Sequence, residues 1–225
     1  IAGGRTFANT LKYISITTSA NFGNMISMAI ATPLLPFLPL LPKQILLNNF
    51  LSDFPAIAIS TDNVDAEQLA RPERWDIGAV QRFMIVFGLV SSCFDLITFA
   101  TLRWIVHADV ATFQTVWFVI SLLTELVVVI ILRTRRFCLT SRPSGLLGWS
   151  TAIMAIVALV LPFTPVVDEL FSFEAPSWTL VVFAIAVTAT YGAATEFAKR
   201  MFYRHAGKRR IRRTRRPCRG RTGRG

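Results

Sequence analysis

The chain has 225 residues, of which 53% are hydrophobic and only 16% charged, and its mean hydropathy is +0.51. Soluble domains hold about a quarter charged residues, so this composition excludes an ordinary soluble domain and indicates an integral membrane protein. The net charge of +11 belongs to one end: 13 of the 24 Lys and Arg lie from Lys199 onward with no acid among them, leaving 11 bases against 13 acids in the rest of the chain.

Windows of roughly 20 largely apolar residues, the length that crosses a hydrocarbon core, recur along the chain. They fall at Leu11–Thr32, Leu40–Ile59, Phe83–Val106, Phe113–Leu132, Leu146–Phe163 and Trp178–Phe197. The expected fold is an all-α membrane protein of six transmembrane helices. No signal-peptide cleavage pattern precedes the first span, and the opening at Ile1 without Met leads us to expect a piece of something longer.

Charge in the short loops sets the orientation, because Lys and Arg are retained on the cytoplasmic side. Arg5 and Lys12 precede the first span, Arg71, Arg74 and Arg82 separate the second from the third, and Arg133, Arg135, Arg136 and Arg142 separate the fourth from the fifth. The opposite loops are poor in bases, and the last of them carries Asp168, Glu169 and Glu174. Both termini are therefore expected in the cytoplasm. Trp104, Trp117, Trp149 and Trp178 fall near predicted span ends, as amphipathic rings do at the interface.

The first two spans are unusually polar. Thr17, Thr18, Ser19, Asn21 and Asn24 occupy the first, and Gln44, Asn48, Asn49, Ser52 and Asp53 the second. Polar groups cost free energy in hydrocarbon unless paired or lining a wet cavity, so two such spans joined by a short connector point to a cation path. Asn21 and Asn24, three residues apart, lie near one helix face, and Asn49, Ser52 and Asp53 stand at i, i+3 and i+4. A hard divalent cation prefers oxygen donors, and Asp53 is the natural anionic one. A carboxylate in a span costs ~2.5 to 3.5 kcal/mol on insertion scales, which argues for a role, the alternative being a helix-end charge that reaches the cytoplasmic interface. Pro55 frees backbone carbonyls around Leu51 for ion or water contacts. Asn and Ser also serve as hydrogen-bonding glue between membrane helices, and Asn21 or Asn48 taken alone fits either role.

Asp95 in the third span and Glu125 in the fourth are further candidates for an ion path or proton route, the alternatives being a pair with Arg103 or a polar helix seam. Glu196 beside Lys199 and Arg200 reads as an interfacial ion pair. His107 and His205 have no acid or Cys at metal-ligand spacing, and Cys93, Cys138 and Cys218 form no CxxC, so they read as free thiols. The basic segment from Lys208 to Arg224 should attract anionic phospholipid, at ~1 kcal/mol per basic residue near the surface. Nucleic acid is the less favoured polyanion, because no aromatic interleaves that run and a membrane span adjoins it.

The order of these residues resembles a known family. Thr18-Ser19-Ala20-Asn21-Phe22-Gly23-Asn24, Leu38-Pro39-Leu40-Leu41-Pro42-Lys43-Gln44, Leu47-Asn48-Asn49 and Asp53-Phe54-Pro55-Ala56 resemble the fifth and sixth membrane helices of P-type ATPases, best those of the bacterial magnesium-transporting (type IIIB) group. Asp62-Asn63-Val64-Asp65, Arg71-Pro72, Arg74-Trp75-Asp76, Phe113-Gln114-Thr115 and Trp117-Phe118-Val119 extend the likeness, which covers about residues 4 to 204.

The resemblance implies the fifth to tenth helices of such a pump, in a bacterial inner membrane. Residues 1–10 would end a cytoplasmic stalk, 11–59 form the helix pair carrying the ion site, and 60–82 a cytoplasmic loop. Residues 83–197 would supply four supporting helices, and by composition 198–225 reads as a basic, disordered tail. It implies Asn21, Asn24, Asn49, Ser52 and Asp53 as metal ligands, Mg2+ as transported ion and alternating access as mechanism. The group tends to have an acid near the position of Ile120 and Gln near that of Glu125, so this helix departs from the pattern, and the tail after His205 resembles no part of it. No DKTGT, TGE or GDGxND motif occurs. ATP would therefore act only through upstream domains, partners of this piece, which alone should have no ATPase activity. The competing expectation is a self-contained six-helix secondary carrier or passive cation channel.

Overall fold

The computed structural model describes residues 2–63 and 77–214. The described residues are helical and contain no strand. The chain runs as α1 (Ala2–Leu34), α2 (Pro42–Ala58), α3 (Ile77–Ala100), α4 (Val110–Leu132), α5 (Gly145–Val160), the short α6 (Pro165–Phe171) and α7 (Trp178–Thr214). Single turns of tighter helix follow α2 at Ile59–Thr61 and α5 at Leu161–Phe163, and α3 loosens into a π-turn over Thr101–Ile105. Residues 64–76, with the Val64, Asp65, Arg71-Pro72 and Arg74-Trp75-Asp76 parts of the resemblance, lie outside the described residues.

Helix α4 is the axis of the bundle. It is buried along nearly its whole length from Phe113 to Leu132 and touches α1, α2, α3, α5 and α7. A helix apolar all round needs such an enclosure, because no polar face is left for solvent. The outer helices bury only stripes. On α7 the stripe is Leu180, Ala184, Thr188, Tyr191, Thr195 and Lys199, and on α1 it is Asn9, Lys12, Ile16, Ser19, Gly23, Ser27 and Ala31, each stepping by three or four as one helix face does. Outward faces stay apolar, with Trp149, Ile153 and Ile156 on α5 and Val182 and Ile185 on α7 exposed, as contact with lipid tails requires.

Four stretches among the described residues are long and apolar enough to cross a membrane: Ile77–Ile105, Val110–Leu132, Gly145–Phe163 and Trp178–Arg204. The two exceptions to the expected six are α1 and α2. In α1 the amides and hydroxyls dilute the apolar window, and α2 has only 17 residues, about 26 Å of helix. Helix α7 also continues past the expected end at Phe197, reaching Thr214. Ala, Lys and Arg are good helix formers and no proline interrupts them, so the expected disordered tail begins as helix.

α1 and α3 approach at two glycines. A Cβ at Gly23 would stand 2.8 Å from Ser91 Cβ and 3.1 Å from the Gly88 carbonyl oxygen. Gly23→Ala should therefore cost ~1 to 3 kcal/mol through overpacking, read as a lower melting midpoint in detergent; an unchanged midpoint would show that the contact yields freely.

The two ends of the bundle differ in charge. At one end Asp62, just past α2, is buried between Lys12 (3.2 Å) and Arg133 (3.1 Å). At the same end Lys199 pairs with Glu196 at 2.7 Å and donates to the carbonyls of Ile131 (3.0 Å) and Arg136 (2.8 Å), closing the C-terminus of α4. The Glu196 pair is thus formed as expected, with Arg200 at 3.6 Å as its second base. At the other end Lys43 reaches the Leu170 carbonyl (2.8 Å), and Asp109 caps α4 through the Thr112 N–H (3.1 Å). Thr112 and this cap hold the Asp109 carboxyl below its ordinary value, while Asp109 itself pushes the nearby Glu174 carboxyl up.

Candidate ion site

Three helices bring polar side chains together around α4. Asn24 of α1 donates Nδ2–H to Glu125 Oε1 at 2.6 Å, and Asn48 of α2 donates to Glu125 Oε2 at 3.3 Å. Asn48 is 3% exposed and Glu125 8%, so both carboxylate oxygens are held by amides inside the bundle. The other amide oxygen, Asn48 Oδ1, is buried without a hydrogen-bond partner. A buried carbonyl oxygen left unpaired costs free energy, and beside a carboxylate it is a ready ligand for a hard cation or its water.

A second carboxylate lies in a neighbouring layer. Asp95 of α3 accepts from Ser27 Oγ at 2.6 Å and from Trp117 Nε1 at 3.1 Å, joining α1, α3 and α4. Trp117 and Glu125 are eight residues apart on α4, about 12 Å along its axis. Trp117 is therefore an internal donor, 1% exposed, and not the interfacial ring expected from its place near a span end. The carboxylates of Asp95 and Glu125 take these partners, and the expected alternative of Arg103 is not among them: Arg103 lies exposed in the π-turn.

The expected ligands separate into two groups. Asn24 joins the internal cluster, and Ser52, partly buried, donates to the Asn49 carbonyl at 3.1 Å and lies beside the Glu125 carboxylate as a further hydroxyl partner. Asn21, Asn49 and Asp53 face outward. On α2 the buried stripe is Gln44, Asn48, Leu51 and Pro55, whereas Asn49 and Asp53 share the opposite side with Leu46, Phe50 and Ile57. Asn48, which the sequence leaves open between cation path and helix glue, is the α2 residue whose amide reaches Glu125. Its place at i+4 from Gln44 and i−3 from Leu51 was the signal available. Among the described residues no three His, Cys, Asp or Glu converge on one point, so a cation held here would draw on amide, hydroxyl and backbone oxygens as well as carboxylate.

Residues 37–201 match the model of the family described as Cation transporting ATPase, C-terminus. The chain is similar to the Magnesium-transporting ATPase, P-type 1 of Escherichia coli strain K12, with 42% identity over 212 residues. It is 40% identical to the protein of that name in Salmonella typhimurium strain 14028s and 31% identical to one in strain LT2. These alignments cover 92% of this chain but only 24%, 23% and 23% of the relatives, so the chain spans about a quarter of their length. With nearly three quarters of its residues matched, the chain belongs to the family of cation transporting ATPase C-terminal regions.

Proposed function

We propose that this chain is the transport half of an ATP-driven P-type pump that moves Mg2+ across a bacterial inner membrane by alternating access. One observation carries the reading: amides from α1 and α2 converge on a buried carboxylate of α4, leaving an unpaired amide oxygen beside it. The likeness to magnesium-transporting relatives supplies the ion. Helices α1 to α5 and α7 are the six spans in this reading, with the Asp62 and Lys199 end in the cytoplasm. The partition of bases between the two ends supports that orientation.

The site comprises Asn21, Asn24, Asn49, Ser52 and Asp53, extended inward by Asn48, Glu125 and Asp95. Asn21, Asn49 and Asp53 meet the ion on the open face of the helix pair, and the Glu125 cluster receives it in the interior. Energy enters from ATP-handling domains outside this chain, through α1. The test is ATP hydrolysis and ion uptake by the full-length protein in membrane vesicles. Hydrolysis stimulated by Mg2+ and competed by other divalent ions is the expected result. Mg2+ uptake without ATP would replace the pump with a carrier or channel.

The basic continuation of α7 binds the anionic headgroups of the same membrane. A synthetic peptide spanning 199–225 should sediment with phosphatidylglycerol vesicles at low salt and lose binding at 0.5 M salt, as screening demands; equal binding to neutral vesicles would refute this.

A further inference from the structure

All three helices that carry the Asn24, Asn48 and Glu125 cluster are joined again at one buried carboxylate. Asp62 sits four residues past the end of α2. It accepts from Lys12 Nζ of α1 at 3.2 Å, from Arg133 at the end of α4 at 3.1 Å and 3.4 Å, and from the Ser144 backbone N–H before α5 at 3.3 Å. Asn9 of α1 adds bonds to the backbone carbonyls of Asp62 (3.0 Å) and Ser60 (3.1 Å). The side chains of Asp62 and Arg133 are fully enclosed, and that of Lys12 is 8% exposed.

The two cations are not equivalent. Arg133 reaches both oxygens of Asp62 through Nη1 and is itself tied to the Ser141 and Arg142 carbonyls, so it fixes the carboxylate to the α4–α5 connector. Lys12 brings a compact charge on a flexible stem. Lys12 lies twelve residues from Asn24, about 18 Å along α1, and Arg133 lies eight residues from Glu125, about 12 Å along α4. Whatever sets Lys12 against Arg133 sets Asn24 against Glu125.

We infer that Asp62 is a positioning residue for the ion site, holding α1, α2 and α4 in the axial register at which Asn24 and Asn48 meet Glu125, with Lys12 as the arm through which α1 is latched. The inference rests on the pump reading. It places a remote ionic contact in control of ion affinity, because a shift of α1 along its axis separates Asn24 from its carboxylate.

The experiment uses the full-length protein in vesicles, reading hydrolysis against Mg2+ concentration. Lys12→Met should shift half-saturating Mg2+ at least threefold while kcat stays within twofold, and Lys12→Arg, which keeps the charge, should return it to the parent value. Lys12→Gln carries the same expectation if the Met variant does not accumulate in the membrane. Half-saturation unchanged in Lys12→Met, or shifted equally in Lys12→Arg, overturns the latch while leaving the pump reading intact. A parent protein without Mg2+-stimulated hydrolysis overturns the pump reading and the latch's role in ion affinity together.

Discussion

If the chain works as the proposed pump, Asp53→Ala should abolish Mg2+-stimulated ATP hydrolysis by the full-length protein, while the variant accumulates and melts like the parent. Its side chain is exposed and enters no hydrogen bond or ion pair among the described residues, so its removal leaves no buried partner unsatisfied and the fold is indifferent to it. Function is not. One unit charge at 4 Å contributes of the order of 4 kcal/mol at an effective dielectric of 20, about a thousandfold in affinity, and a divalent ion doubles the attraction. The assay is hydrolysis as a function of Mg2+, with membrane abundance measured in parallel. Asp53→Asn keeps the shape and one oxygen but not the charge, and should fall nearly as far. Normal ion-stimulated turnover in either variant removes Asp53 from the site.

The contrast between Asp53 and Asn48 shows where sequence reading stops. Polarity within Thr17 to Asp53 was visible, because amides and a carboxylate in membrane-length segments stand out against an apolar chain. The direction of each side chain was not. Asn48 and Asn49 are neighbours in sequence but about 100° apart around a helix, and only Asn48 lies on the stripe that meets α4. Asn21 and Asn24 differ by about 60° around their helix, enough to send one outward and the other to Glu125.

Contacts between distant helices were the least legible. The partnership of Asp95 with Trp117 and Ser27, and of Asp62 with Lys12 and Arg133, depends on which helices pack together. Periodicity assigns faces but does not say what covers them. Helix order and length were better predicted, since hydrocarbon thickness and backbone satisfaction leave few alternatives. The departures fall on α1 and α2, where site polarity and short length weaken the apolar signal, and on α7, where charge past Phe197 was read as an end although Lys and Arg sustain a helix.

Glu125→Gln separates the charge of the internal carboxylate from its structural work. Glu125 accepts from two amide donors, at 2.6 Å from Asn24 and 3.3 Å from Asn48. A glutamine in the same place accepts on one oxygen and offers an N–H₂ where the second oxygen was. The Asn48 amide can turn so that Oδ1, which has no other partner, accepts from the glutamine N–H₂, and the contacts from Asn24 and Asn48 are both kept. The variant should therefore melt within a few degrees of the parent. Glu125→Ala leaves both amides without their acceptor, at ~1 to 3 kcal/mol each, and should melt well below it. Against that background the loss of charge reads directly on the ion: half-saturating Mg2+ should rise about tenfold in Glu125→Gln, equivalent to ~1.4 kcal/mol. A rise below twofold with full stability would leave Glu125 as the acceptor that holds Asn24 and Asn48 in place, and would put the whole of the ion's negative partner on Asp53 at the open face.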